Sequence, residues 1–268
     1  MKIDKRDIEK RAETERMNAE NYGIKDIFSI VSQKGIHLIR YPFGQGKLLG
    51  FATVFEGKRV IVTNSSEILS REIYTIAHEL GHILFDFEDP TSNLRIDFDL
   101  EIEAEEISEK RAYYFADCFL MPEEALRKYI KYELNKTTNE LNALDIVRLQ
   151  LEFQVSYAAL LKRLYDLGFI SNIKKKALFD KRDHVTSRAL FRMLNADQKL
   201  LKASNTIEVP SSYLEYVTSN YDNESIPFSS LEKALALIGV DASEFQTKHD
   251  DKEPLDIDID ELFEEFES

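Results

Sequence analysis

The chain has 268 residues, more than one minimal domain needs and fewer than several large ones, so a catalytic unit with a smaller appended unit is expected. With 43% hydrophobic residues, nine glycines and six prolines, it has the apolar material for real cores and is not a low-complexity polymer. The formal charge of −14 is concentrated at one end, where residues 250–268 hold ten acids against Lys252, while residues 160–192 hold nine Lys or Arg against three Asp; the acidic whole disfavours a protein built to grip nucleic acid.

The N-terminus, MKIDKRDIEKRAETERMNAE, is charged and lacks the apolar stretch of a secretory signal, and no apolar run approaches the roughly 18 residues of a membrane span. A cytoplasmic protein without membrane attachment is expected. Residues 4–32 place Ile8, Ala12, Met17, Ile24, Ile27, Phe28 and Val31 at helical spacing, broken near Gly23. A strand at 36–40 follows, then a β-hairpin of 49–55 and 59–63 around Glu56-Gly57-Lys58, giving a small, largely antiparallel sheet. Asn64, Ser65 and Ser66 offer a helix cap, and apolar residues from Ile68 to Leu84 carry that helix to about Phe87. Residues 91–104 alternate apolar and acidic, as an extended segment would. From Glu105 the helical pattern resumes, stops before Met121-Pro122, and leads to a further helix over 123–134. Helices over 139–152 and 157–167 flank Phe153 to Ser156 in a helix-turn-helix-like spacing that a plain helical hairpin would share, and another pair is expected over 211–222 and 228–238.

The chemistry sits in Thr75-Ile-Ala-His-Glu-Leu-Gly-His82, which contains His78-Glu79-x-x-His82. Residues four apart share a helical face, so both imidazoles reach one Zn²⁺, and Glu79, one residue round, lies beside the remaining coordination position. Catalytic zinc lowers the pKa of its water towards about 7, and an adjacent carboxylate takes the proton as water attacks a carbonyl. That is peptide hydrolysis. Two histidines and a glutamate buried there without a metal would leave polar groups to satisfy. Cys118 is the single cysteine, so a metal must use His and carboxylates. A third ligand is needed. Residues 85 and 88 are Phe and Glu, so the extended motif with a third His is absent, and Glu105, Glu106 and Glu109 become candidates ahead of Glu88 and Glu103. Helical phase favours Glu109, in line with Ala112 and Ala116.

With these motifs the chain resembles the ImmA/IrrE zinc metallopeptidases, through Thr-x-Ala-His-Glu-Leu-Gly-His and through Glu109-x-x-Ala112-x-x-Phe115-Ala116-x-x-x-Leu120-Met121-Pro122, and further on through Val155-Ser156-Tyr157-x-Ala159-Leu160 and Arg163-Leu164-x-x-Leu167-Gly168. The likeness covers about residues 24–170. It implies an α+β, zincin-like core with Glu109 as third ligand, Zn²⁺ as cofactor with Mn²⁺ as alternative, and as protein substrate a helix-turn-helix repressor or antitoxin whose cleavage regulates stress-response or mobile-element genes. One position departs: Tyr113 stands where the family carries Asn or another small polar residue that orients a zinc-bound His.

The resulting expectation is a zinc endopeptidase with His78, His82 and Glu109 as ligands and Glu79 as base. A peptidase core over 1–134 precedes a helical region over 135–249, with its helix-turn-helix-like unit at 139–168, and an acidic tail over 250–268 expected to be disordered. The tail's Ile259, Leu262, Phe263 and Phe266 fall at amphipathic helical spacing. The alternative is a DNA-binding regulator with a structural or sensory metal. His37 and His184 are weighed as oxyanion stabilisers against ordinary surface roles, Cys118 as core against redox switch, and Tyr74, Tyr113 and Tyr114 as rim tyrosines against hydrogen-bond donors to a transition state.

Overall fold

Three short strands and the helices after them carry the site. The computed structural model describes residues 3–16, 22–55, 57–87, 102–184 and 187–243, with the backbone alone at 102–106 and 181–184. The chain separates after Pro210 into two compact units. In the first, Asp4 caps α1 (Lys5–Glu15) and Asp26 caps α2 (Ile27–Gln33), each carboxylate accepting from first-turn amides. The break near Gly23 therefore yields two helices; Met17 lies outside the described residues.

Strands β1 (His37–Tyr41), β2 (Gly50–Phe55) and β3 (Lys58–Asn64) form one sheet in the order β1-β3-β2. The β2–β3 hairpin is antiparallel as expected, with Phe55 opposite Lys58. The β1–β3 pair is parallel, which corrects the expectation of a largely antiparallel sheet. The physical reason is burial: β3 ends in the buried run Ile61 to Asn64 and takes the centre, whereas β1 and β2 each expose part of one face.

The helix bearing the His-Glu-x-x-His motif, α3 (Leu69–Phe85), starts later than expected because Asn64, Ser65 and Ser66 do not cap it. The Asn64 carboxamide instead holds the 43–48 loop, accepting from the Phe43 amide at 3.1 Å and donating to the Gly44 and Leu48 carbonyls. The helix's first amide is satisfied from far away, Leu69 N–H donating to the Lys202 carbonyl at 2.8 Å. Residues 102–104, expected to be extended, open α4 (Ile102–Leu120), and α3 and α4 pack closely. A Cβ at Gly81 would lie 3.0 Å from Ala112 Cα, a contact so tight that the helices would have to move apart by a few tenths of an ångström to admit it. Gly50 does the same for β2, since a Cβ there would meet Thr75 Cγ2 at 2.6 Å.

The helix expected over 123–134 is α5 (Glu123–Lys128) prolonged by a π-helical turn, Tyr129–Glu133. The pair α6 (Ala143–Phe153) and α7 (Tyr157–Asp166) is joined by Gln154, in a left-handed conformation, and by Ser156, which caps α7. Beyond α7 the basic stretch continues as α8 (Asn172–His184) and α9 (Ser187–Met193). One buried apolar cluster runs from Ile8 through Ile76, Phe115 and Phe153 to Leu200, so packing continues across position 134. In the second unit, α10 (Ser211–Asp222) and α11 (Phe228–Leu237) close over Tyr221, Leu231, Leu235 and Ala242. The acidic tail over 250–268 lies outside the described residues, none of whose helices is long and apolar enough to cross a membrane.

A segment over 202–208 straps the start of α3. Ser65 Oγ donates to the Thr206 carbonyl at 2.7 Å, and Arg40 and Glu208 exchange backbone hydrogen bonds of 2.8 and 2.9 Å. Beneath it the buried Arg40 guanidinium grips Glu72 of α3 through two bonds of 2.8 and 3.0 Å, with Ser204 and Glu208 as further partners. Thr63 also donates to Glu72. Removing one partner of such a pair leaves an uncompensated buried charge. Glu72→Ala is expected to cost about 3 kcal/mol, the low end for a buried pair because Glu208 still meets Arg40. The midpoint of urea denaturation reads this loss, and an unchanged midpoint would show that the pair adds nothing.

Candidate metal centre

Two stripes of side chains, each with a spacing of four residues, face one another across α3 and α4. Tyr74, His78 and His82 lie on α3; Glu109, Tyr113 and Asp117 oppose them in reverse order on α4. At the first rung the Glu109 carboxylate meets both histidines, Oε2 at 3.3 Å from His78 Nε2 and Oε1 at 3.2 Å from His82 Nε2, while the two Nε2 atoms are 3.1 Å apart. Ligands about 2.0–2.1 Å from a tetrahedral zinc lie about 3.3 Å from each other, so the two imidazoles stand at a separation that one ion can bridge, with one carboxylate oxygen beside each of them. Among the described residues this is the group of His, Cys, Asp or Glu able to hold a metal. Glu109, the acid that helical phase favours, is in this group. The side chains of Glu88, Glu103, Glu105 and Glu106 lie outside the described residues.

Glu79, one residue beyond His78, is only 7% exposed. Burial pushes its carboxyl up to about 7, with Glu109 adding to the effect, while His82 and a hydrogen bond from the Ala52 amide pull it down. A base poised near neutrality suits proton transfer. The Ala52 contact also ties Glu79 to β2. His78 is driven the other way, to about 4, by burial and by His82, and so presents a neutral imidazole at pH 7.

His82 has an orienting partner that sequence reasoning missed. Its Nδ1 lies 2.7 Å from Asp86 Oδ2, and Asp86 in turn accepts from Ser108 Oγ at 2.6 Å and pairs with Arg111. Burial lowers the pKa of His82, but the Asp86 hydrogen bond and the charges of Glu79, Asp86 and Glu109 outweigh it, so the net shift is upward. With Nδ1–H given to Asp86, the Nε2 lone pair is free to face a metal. The spacing His82 to Asp86, again four residues, was the available signal. Among the described residues His78 has no such partner: its buried Nδ1 finds no hydrogen bond there, and the Tyr113 ring packs on its imidazole with centroids 4.3 Å apart. The departure noted at Tyr113 thus exchanges a polar hold on His78 for ring packing.

The remaining sequence candidates stand elsewhere. His37 begins β1, half-buried and outside the metal group. The side chain of His184, and all of His249, lie outside the described residues. Cys118 is buried; Arg163 touches its sulfur at 3.5 Å, and burial pushes the thiol pKa up, so the core reading fits. Tyr74 donates to Asp117 at 2.9 Å and Tyr114 to Glu9.

Replacing the orienting carboxylate tests the centre without touching a ligand. Asp86→Asn is expected to weaken zinc binding about 10- to 100-fold, measured by competition with a chromophoric chelator at pH 7. Unaltered affinity would show that His82 needs no partner on Nδ1.

A model of the IrrE N-terminal-like domain, Peptidase M78, matches residues 31–165. No curated protein matches the chain. Among solved structures, a Mycobacterium tuberculosis transcriptional regulator is similar at 17% identity and a TM-score of 0.39, over 61% of this chain and 47% of that chain. The chain thus spans about half the length of that regulator, and the likeness is too slight to bear on function. The family match covers half of the chain and includes the paired stripes of α3 and α4, so the chain belongs to the Peptidase M78 family, with its IrrE N-terminal-like domain.

Proposed function

We propose that the protein is a zinc-dependent endopeptidase, cytoplasmic and regulatory, that cleaves a helix-turn-helix repressor or antitoxin. The observation that carries the peptidase reading is the grouping of His78, His82 and Glu109, whose donor atoms lie within reach of one ion, with buried Glu79 beside them. The repressor substrate rests on the family resemblance. His78, His82 and Glu109 would hold the metal, zinc first and manganese as the alternative. Bound there, the ion would supply Lewis-acid activation of water.

The chain's own residues account for the rest. Glu79 takes the proton of the attacking water and delivers it to the amine that leaves, so one carboxylate serves as base and then as acid. The Ala52 amide, hydrogen-bonded to this carboxylate, fixes its direction. Among the described residues β2 stands at the edge of the sheet, and an extended substrate strand would lie along it, next to the Ala52 amide that meets Glu79. Asp86 keeps the His82 ring oriented throughout.

The DNA-binding alternative draws less support. Arg163, within the basic stretch, is buried and donates to the Met121 carbonyl at 3.1 Å, and Lys162 pairs with Asp117 and Asp166. Both are engaged within the fold.

Glu79→Gln is expected to retain zinc and fold yet lose cleavage of the repressor encoded beside it by at least about 100-fold, since the amide cannot accept a proton. Stoichiometric zinc with undiminished cleavage would remove Glu79 as base. Glu109→Ala is expected to lower zinc occupancy, whereas Glu105→Ala and Glu106→Ala leave it intact; metal analysis of the purified variants decides, and loss in a neighbour alone would move the third ligand one turn earlier.

A further inference from the structure

Strand β2 turns its alternate residues to different surroundings. A Cβ at Gly50 would meet Thr75 Cγ2 of α3, so Gly50, Ala52 and Val54 lie on the face towards that helix, and by alternation Leu49, Phe51, Thr53 and Phe55 lie on the face away from it. The backbone alternates too. The Ala52 amide meets the Glu79 carboxylate, whereas the Leu49 carbonyl accepts from the Asn64 amide of β3 at 2.9 Å. Backbone groups of the even-numbered residues therefore point to the edge beside Glu79, and those of the odd-numbered ones to β3.

The face away from α3 is apolar. Leu49, Phe51 and Phe55 are 43%, 42% and 59% exposed, and the register sets Phe51, Val62 and Ile39 in one row across the three strands, with Thr53 and Val60 in the next. Exposed apolar side chains scattered singly are ordinary, but a contiguous patch marks a place of contact. The edge gives a second sign. Exposed edge strands are guarded by charge, proline or a bulge, yet residues 48–55, Leu-Leu-Gly-Phe-Ala-Thr-Val-Phe, hold no charge and no proline, and the pairing from Gly50 to Phe55 runs without a bulge. The position of the edge selects its occupant. A second copy paired there would cover Glu79 and close the centre, whereas a segment to be cut needs that place.

We propose that Phe51 and Phe55, with Leu49, select the substrate: a segment added along β2 sets every second side chain against them, so apolar residues are preferred at alternate positions beside the cut. Residues directly opposite on neighbouring strands have their Cβ atoms about 4.5–5.5 Å apart, within reach of aromatic rings. The inference rests on the peptidase reading and adds to it a two-residue period that the metal centre alone does not impose.

Binding tests this separately from cleavage. Full-length, zinc-loaded Glu79→Gln protein is titrated, by fluorescence anisotropy, into short labelled peptides of one composition, Leu, Phe, Ser and Lys. The peptide with apolar residues at alternate positions is expected to bind at least about tenfold more tightly than one that gathers them in a block. N-methylation of its alternate amides is expected to abolish binding in one phase and spare it in the other, because an added strand donates to β2 from every second residue. Phe51→Thr/Phe55→Thr, which keeps β-forming residues at two exposed positions, is expected to weaken the alternating peptide about tenfold and remove the preference, with circular dichroism unchanged. Met193→Ser, at an exposed apolar residue of α9, is expected to leave affinity and preference as they are. Equal affinity for the alternating and block peptides, or a preference that survives the double variant, overturns the proposal. So does a dimer in light scattering that the double variant converts to monomer, which would assign the face to a second copy. Failure of the unaltered protein to cleave any peptide counts against the peptidase reading, while the binding preference of a variant that does not cut decides this one.

Discussion

The distance between α3 and α4 is the constraint on which the site depends. At Gly81 the absence of a side chain lets Ala112 come so close that a Cβ would have to push the helices apart by a few tenths of an ångström. Glu109 lies three residues before Ala112, less than one helical turn, so its carboxylate reaches the two imidazoles only if the backbones stay this close. Phe115 and Phe119, stacked with centroids 5.4 Å apart and fully buried, hold the interface from the other side. The donors are thereby placed by helix packing rather than by a loop, which suits a centre that must keep ligand separations to a few tenths of an ångström.

Both ends of α3 are fastened by charge. At its start Glu72 meets Arg40 under the 202–208 strap; at its end His82 and Asp86 meet Ser108 and Arg111 of α4. Buried ion pairs are poor sources of net stability, because desolvation offsets most of their attraction. Their value here is positional. An apolar replacement could fill the same volume, but it would not fix the helix against sliding along its axis, and a slide of one residue is about 1.5 Å, enough to take His78 and His82 out of register with Glu109.

The sequence made the centre legible because its geometry is local. Four-residue spacing places His78 and His82 together on any helix, and the same periodicity singled out Glu109 among its acidic neighbours. The hairpin was legible through Gly57 and its flanking β-formers. Asp86 carries the same four-residue signal, but an acid at the end of an amphipathic helix reads equally well as a solvated residue. What could not be read was non-local. The late start of α3 depends on Lys202, more than a hundred residues away in sequence, and the Arg40–Glu72 pair joins a strand to a helix with no shared periodicity. The parallel placement of β1 likewise follows from which strand buries most, a property of the assembled sheet. Helix 172–184 was hidden by its charge, as nothing in a basic run distinguishes a solvated helix from a loop.

Asp86 has a last consequence, for how such a protein can change over evolutionary time. It stands at the C-terminal end of α3, and its partners Ser108 and Arg111 stand in α4, so a single carboxylate ties together the two helices that the intervening chain connects. The spacing of the donors rests on that tie and on the contact of the two helices at Gly81. Over evolutionary time Asp86, Ser108 and Arg111 therefore change as a set: losing one leaves the other two short of a partner, so a replacement at one of the three positions favours a compensating replacement at another.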